Sequence, residues 1–439
     1  MPETTPQTEA VPIPSPVPDP LSMREVLAIA PMRRLWYAQI VSVFGDFLAL
    51  YAVITVMTFN LHSTPQQVTG IQIAYMLPIA VLGILSGVFV DRWPVKPTLV
   101  SSDFIRAGLC LLLLRVHSPM GFYAVLAGIS VFSSFFNPAQ GKALRSLVPM
   151  HGQRSAQSLM QQVMFIMRIV GGPVATLVVA AFTARACYIL DAVSFLASGT
   201  LISSLALLTP TSEPVANPMP TKPAKGVDRS EEKTGLARIF ADMQQGTSFI
   251  FHHAGLLFVI LAMAAGMFVM GCFGPLIAIY VRDILHAQGR TFGATIAMVG
   301  LGLFVGINVL NATAKNLKNT TLVYSGLIGI AAGTLLLATV PHLVPAILGL
   351  FLIGFAVGGI IVPAQTMIQQ ETPHSMLGRV GSTVMSLIFA AQITGLVLSG
   401  ILTNYTSIRA IFGLCTGMLV VLIVIGKLWM EPEPHPTPA

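Results

Sequence analysis

The sequence predicts an all-α membrane protein, with twelve transmembrane helices in two six-helix halves. Three observations carry this. First, 54% of the 439 residues are hydrophobic and only 9% are charged, against roughly 25% charged in a soluble domain. Too few charges are present to cover a soluble protein of this length. Second, the apolar runs are about twenty residues long, the length a helix needs to cross the hydrocarbon core. Strands of a membrane β-barrel alternate over about ten residues. Third, a single long polar insertion falls near the middle of the chain. The same hydrophobicity excludes a disordered chain.

The elements follow in order. Residues 1–23 are expected to be a disordered cytoplasmic tail: the first 22 hold seven prolines and three acids. They lack a basic stretch leading into an apolar one, so no signal peptide is expected. Residues 24–208 are expected to form an N-terminal six-helix bundle, with spans near 34–60, 67–90, 98–116, 120–141, 156–182 and 186–208. Residues 209–253, with five basic and five acidic residues and several prolines, read as a cytoplasmic linker. An amphipathic helix is expected there around 236–251. Residues 254–430 should form the C-terminal six-helix bundle, with spans near 254–281, 291–313, 320–340, 344–368, 379–403 and 408–429; residues 431–439 are a polar tail.

Orientation comes from the basic residues. With the N-terminus inside, seventeen of the 24 Lys and Arg lie on the cytoplasmic side and five on the other. That places both termini in the cytoplasm. The net charge of +7 is explained by this bias, and no nucleic-acid partner is expected. Cys110, Cys187, Cys272 and Cys415 fall inside apolar runs without a CxxC pair. They read as small core residues.

The halves resemble each other. NPAQ at Asn137–Gln140 recurs as VPAQ at Val362–Gln365, and VFGDF at Val43–Phe47 recurs as VMGCF at Val269–Phe273, in the same order and at nearly the same offset. Gly83, Gly87 and Lys96 match Gly302, Gly306 and Lys315 in spacing. A six-helix unit repeated in parallel is a transporter architecture with its site between the halves.

The loop after span two carries Gly87-x-x-x-Asp91-Arg92-x-x-x-Lys96, with Asp103 and Arg106 following in span three. Gly83 and Gly87, one turn apart, would allow close helix packing. A carboxylate at Asp91 could cap the positive end of another helix in one conformation and leave it in the other, which would make the loop a latch. The plainer alternative is that Arg92 and Lys96 anchor the loop inside. Asp103 and Arg106, spaced i, i+3, are either a helix-surface ion pair or an extension of the latch.

This loop resembles the signature loop of the major facilitator superfamily, departing from it at Val95, where a second basic residue is common. GDF in span one, FFNPAQGKALRSLV and LDAVSFL are similar to the proton-driven drug, macrolide and enterobactin exporters of that superfamily. GGP at Gly171–Pro173 resembles the span-five antiporter signature, although Thr176-Leu177 replaces its small pair. The resemblance implies the major facilitator fold and alternating access driven by the proton gradient.

Charges inside the membrane are costly and therefore informative. Asp46 falls between Arg34 and His62, and Arg168 between Arg154 and Arg185, each close to the middle of its apolar stretch. At the rise of an α-helix both lie near mid-bilayer. Asp191 follows Arg185 within two helical turns, in the outer part of span six. Asp46, Arg168 and Asp191 are the proton-coupling candidates. A static ion pair that fixes packing is the alternative for Asp46 and Arg168, and an anionic-substrate role remains open for Arg168. The second half has Cys272 where the first has Asp46. Gln72, Tyr75, Gln161, Gln162, Asn308 and Gln392 are polar groups within apolar runs, hence substrate-binding candidates or interhelical bonds.

GxxxxGK[ST], HExxH and paired Cys/His spacings are missing from the sequence. Neither ATP, a cofactor, a metal nor enzymatic chemistry is expected. The expected partners are protons, a small amphipathic substrate and the lipid bilayer, with the chain acting as a monomer. The expected function is proton-coupled efflux of such molecules across a bacterial inner membrane. A lysophospholipid transporter of the same superfamily, which also carries GD and PAQ, and a non-transporting membrane sensor are the alternatives.

Overall fold

A computed structural model describes residues 21–205, 244–313, 318–373 and 376–430. The described residues are helical throughout, with no strand. A capping box between Ser22 and Glu25 starts a short helix, α1 (Met23–Ala28). The Ser22 hydroxyl and backbone N–H hold the Glu25 carboxyl below its usual range. The long helices of the first half are α2 (Ala30–Thr55), α3 (Pro65–Arg92), α4 (Val95–Leu112), α5 (Pro119–Leu147), α6 (Gln153–Ala181) and α7 (Ala184–Ser203). Residues 244–251 form α8, the described part of the expected amphipathic linker helix. Then follow α9 (Ala254–Ile279), α10 (Gly289–Thr313), α11 (Asn319–Thr339), α12 (Leu343–Glu371), α13 (Leu377–Leu402) and α14 (Ile408–Ile425). Ten of these helices are long and apolar enough to cross a membrane; α3 and α6, of 28 and 29 residues, are the two other long ones.

Sequence chemistry sets the helix starts. Thr64 and Gln67 form a second capping box at α3, and Ser118, Thr183 and Ser407 cap α5, α7 and α14. Each satisfies a backbone N–H that the helix cannot. Within the first half α2 packs on α6 and α7, α3 on α5, and α4 between α5 and α7. Ser130 and Ser134 of α5 donate across to the carbonyls of Tyr75 and Pro78 in α3. In the second half α9 packs on α13, α12 between α10 and α11, and α11 on α14. The α10–α12 crossing is backbone on backbone. A Cβ at Gly302 or Gly306 would collide with the main chain of Phe351 and Phe355, and one at Gly354 with that of Val299. This is the small-residue packing expected where no hydrophobic effect drives helices together. Its counterpart in the first half differs: Gly83 has no atom within 4 Å of where a Cβ would stand. The close packing expected at Gly83 is made by its repeat mate Gly302 instead.

The repeat extends further. α2 runs on into a π-helical turn, Val56–Asn60, and α9 into another, Tyr280–Ile284. Each turn is capped by a leucine, Leu61 or Leu285. Each leucine is followed by a histidine in the left-handed region, His62 at φ 47° and His286 at φ 49°. The two Leu-His pairs are separated by nearly the same interval as NPAQ and VPAQ. They turn the chain at the same place in both halves.

The helix ends define two ends of the bundle. One, here the terminal end, carries α1, the α3–α4 and α5–α6 turns, the α12–α13 turn and the start of α9. The opposite end carries the π turns and the α4–α5, α6–α7 and α13–α14 turns. The halves meet through α6 on α10 and through α3 on α9 and α13. A buried apolar cluster runs through both halves, including Leu48, Met57, Phe122, Phe292, Tyr280 and Phe412. A second, around Met32, Leu35, Phe136, Leu144 and Met160, belongs to the first half alone. Large side chains such as Leu301, Phe304, Ile328, Leu348, Leu414 and Val421 face outward, an apolar belt suited to lipid.

Candidate functional site

Two features define the site. The first is a cluster of charges inside the first half. Asp191 of α7 is buried against α2 at Gly45, where a Cβ would overlap the Asp191 carboxylate and the Ser194 hydroxyl. Glycine at 45 thus admits a carboxylate to the α2–α7 contact. The Cys110 thiol of α4 donates to Asp191 Oδ2 at 2.9 Å, and Ser194 Oγ lies 3.2 Å from Oδ1. Cys110 is therefore a hydrogen-bond donor to a buried acid as well as a core residue. Asp46, next to Gly45 in the chain, is half-buried. It lies within electrostatic reach of Asp191, Asp103 and Arg106.

One turn and more along α4, Arg106 pairs with Asp103, and both side chains are buried. Arg106 Nη1 also reaches Ser133 Oγ at 3.4 Å. The guanidinium lies between the Phe136 and Phe195 rings, 4.5 and 4.3 Å from their centroids. These faces supply the cation–π contact that a desolvated guanidinium needs. The Asp103–Arg106 pair is thus an interior feature within electrostatic reach of Asp46, not a helix-surface pair. Its spacing was visible in the sequence, but the face it occupies was not. The side chain of Arg168, on α6, lies outside the described residues, so Arg106 is the described counter-charge of Asp46.

The second feature is an asymmetry between the two ends. At the opposite end the halves are tied. Gln66 Nε2 of α3 donates to Thr403 Oγ1 and Asn404 Oδ1 beyond α13, at 2.9 and 2.7 Å. Arg282, in the π turn after α9, donates from Nη1 to the carbonyls of Thr58 and Ser63, at 2.8 and 2.9 Å. Asp283 holds the other edge of that guanidinium. Phe292 of α10 packs on Tyr51 and Phe59 of the first half, with ring centroids 6.3 and 6.2 Å apart. At the terminal end a cavity of about 600 Å³ lies between Arg154 of α6 and residues of α9, α12 and α13.

The loop expected to act as a latch makes contacts inside its own half. Lys96 Nζ donates to the Leu205 carbonyl after α7, and Lys142 Nζ to that of Val90, both at 2.8 Å. Arg92 is exposed; the side-chain surroundings of Gly87 and Asp91 lie outside the described residues. The expected substrate residues do not converge. Gln72 packs on Gly274 of α9, at the contact between the halves. Tyr75 lies within electrostatic reach of the charge cluster. Gln162 is exposed and donates to the Met23 sulfur at 3.5 Å, and exposed Asn308 bonds the Phe304 carbonyl of its own helix at 2.8 Å. Gln392 is half-buried, and its carbonyl lies against Gly271. Gln365 and Gln369 of α12 line the cavity instead. Gln365 was already prominent as the end of VPAQ; what the sequence lacked was the direction it faces.

Long apolar helices, charges buried in one half and a one-sided cavity between two repeated halves define a polytopic membrane transporter. The chain belongs to the Major Facilitator Superfamily, whose family model matches residues 35–389 and 259–439. It is 26% identical over 409 residues to the uncharacterized MFS-type transporter YfiS of Bacillus subtilis (strain 168), covering 89% of this chain and 91% of that protein. It is 22% identical over 401 residues to macrolide efflux protein A of Streptococcus pyogenes, covering 89% and 93%. Its fold is similar to that of the nucleoside transporter NupG, with TM-score 0.65, 13% identity and coverage of 92% and 100%. It is also similar to that of a bacterial homolog of the human lysosomal transporter Spinster in an inward-facing conformation, with TM-score 0.60, 12% identity and coverage of 90% and 95%.

Proposed function

We propose that this chain is a proton-coupled exporter of amphipathic small molecules in a bacterial inner membrane, acting as a monomer with both termini cytoplasmic. The working units are residues 24–208 and 254–430, which rock about the central cavity while 209–253 links them on the cytoplasmic side. One observation carries the reading. Asp46, Asp191 and Asp103 share one described guanidinium, Arg106, at the meeting of α2, α4 and α7. A guanidinium neutralises one carboxylate, and a carboxyl without a counter-charge in a membrane interior can hold a proton and release it when water reaches it. Asp46, half-buried where Asp191 is fully buried, is the exchangeable site; Asp191 and Arg168 complete the coupling group. With the termini inside, the cavity faces the cytoplasm, where an exporter loads. The likeness to macrolide efflux protein A supports efflux as the direction.

The test is accumulation of a fluorescent lipophilic dye in cells expressing the protein. Expression should lower accumulation, and both a protonophore and Asp46→Asn should abolish the effect while the variant still reaches the membrane. Extrusion that survives the protonophore and Asp46→Asn would overturn proton coupling and favour a gradient-independent lysophospholipid transporter.

A further inference from the structure

The cavity at the terminal end carries a chemistry that the repeat makes legible. In the first half Gln140, the last residue of NPAQ, donates to Gln39 of α2, with the Met160 sulfur 4.0 Å away. Gln39 in turn donates to the Met164 sulfur at 3.7 Å. That amide is fully engaged between α5, α2 and α6. Its repeat mate is Gln365, and Met385 stands at the same offset from Met160 as Gln365 does from Gln140. The stretch of α9 that corresponds to Gln39, residues 263–265, reads Met-Ala-Ala. The amide that would engage Gln365 has been replaced by apolar side chains. Gln365 is accordingly exposed and without a hydrogen-bond partner among the described residues, and it lines the cavity. Gln369, one turn further along α12, is exposed on the same wall.

Across from these amides stands Arg154 of the first half, the charged side chain among the described lining residues; none of those residues is acidic. Met263 and Met385 with Ile368 and Val384 make the apolar wall. Methionine adapts its shape to varied apolar ligands, and about 600 Å³ falls within the range of small-molecule sites. Arginine donates only, whereas each glutamine offers two donors and a carbonyl acceptor, so the guanidinium sets the sign of the preference.

We propose that this cavity is the loading site and that it selects amphipathic molecules whose polar end is an anion or a strong hydrogen-bond acceptor, such as a carboxylate or phosphate. The inference rests on the transport reading above and adds the substrate's chemistry to it. Arg154 and the two amides hold the polar end, and the methionine wall holds the apolar body. A cationic head group would meet a guanidinium there without a carboxylate among the described lining residues.

The experiment uses the purified full-length protein and two fluorescent probes with the same tail, 11-(dansylamino)undecanoic acid and its terminal-amine counterpart. The carboxylate probe should bind at least about tenfold more tightly, about 1.4 kcal/mol. Arg154→Gln should abolish that preference, and Arg154→Lys should keep most of it. Gln365→Leu should weaken the carboxylate probe several-fold with an unchanged elution profile. Equal or tighter binding of the amine, an unchanged preference in Arg154→Gln, or no saturable binding of either probe would overturn the inference. Binding is read without a gradient, so the two readings fail separately. A carboxylate preference in a protein that extrudes nothing keeps the site and loses the transport reading. Dye extrusion without the preference does the reverse.

Discussion

Removing the Arg282 side chain should open the end of the molecule that the structure shows closed. Arg282 belongs to the second half, yet its Nη1 donates to the Thr58 and Ser63 carbonyls of the first, while Asp283 fixes its other edge. The side chain is only 15% exposed. A hydrogen bond with one charged partner contributes roughly 1.5–3 kcal/mol net. Taking the lower figure for each of the two bonds, and discounting for water at the rim, leaves about 2 kcal/mol favouring closure. Loss of that contribution shifts the equilibrium about thirtyfold toward opening, so an open population of about 1% would rise to about a quarter. The assay is a spin-label distance between His117→Cys, in the α4–α5 turn of the first half, and Tyr405→Cys, in the α13–α14 turn of the second. Both positions are exposed, and the four native cysteines are buried. Arg282→Ala should populate a longer distance. Arg282→Lys should lie between, because an ammonium cannot meet Asp283 and both carbonyls in the same planar arrangement. A distribution in Arg282→Ala identical to that of the unmodified chain would refute the reasoning.

Two further outcomes follow from the same kind of accounting. Asp103→Asn removes the carboxylate bonded to the buried Arg106 and leaves Asp46 and Asp191 as the acids within its electrostatic reach, which should cost at most about 3–5 kcal/mol and lower the thermal midpoint of the purified protein. A variant as stable as the parent would contradict the burial argument. The first turn of α1 should depend on pH, because Ser22 holds the Glu25 carboxyl below its usual range. A lowered folded value means that the stabilisation is present above the unfolded value, roughly 4.3, and is lost as the pH falls through the folded one. Protection from hydrogen exchange in residues 22–28, taken relative to the intrinsic rate at each pH, should therefore be unchanged from pH 8 to 5 and fall below about 4; a fall already at pH 6 would exclude Glu25 as its cause.

The spans were legible because length and hydropathy fix a membrane helix almost alone. α10, α11 and α14 start at residues 289, 319 and 408, within two of where the sequence places them. The charges were legible as residues but not as neighbours. Asp46 and Asp191 stand out by position in an apolar run, whereas the Cys110 thiol contact to Asp191 and the burial of Arg106 between Phe136 and Phe195 depend on helix rotation. Hydropathy does not encode rotation in a helix that is apolar all round. The closing contacts were least legible. Arg282 reads as an ordinary loop arginine, and its acceptors are backbone carbonyls, which no side-chain pattern announces. The repeat was the best guide past this limit. It located Gln365 through Gln140, and the different surroundings of the two glutamines separate a packing amide from one that faces open space.

That difference is part of a wider division between the halves. The first half buries carboxylates and a guanidinium: the Cys110 thiol of α4 bonds Asp191 of α7, and α2 admits that carboxylate at Gly45. The second half packs main chain on main chain at Gly302, Gly306 and Gly354, and has Cys272 at the position of Asp46. Charge lends itself to a contact that changes with protonation, and glycine packing to one that does not. The helix common to both functional features is α2. It carries Asp46 at mid-length and runs into the π turn whose Thr58 carbonyl accepts from Arg282. The two positions stand about 18 Å apart along the helix axis, at the rise of an α-helix. A displacement of α2 against α7 at Gly45 therefore moves the acceptor of the Arg282 clasp as well. Any coupling between the acid cluster and closure of the opposite end has a continuous, helical route within one element of the first half.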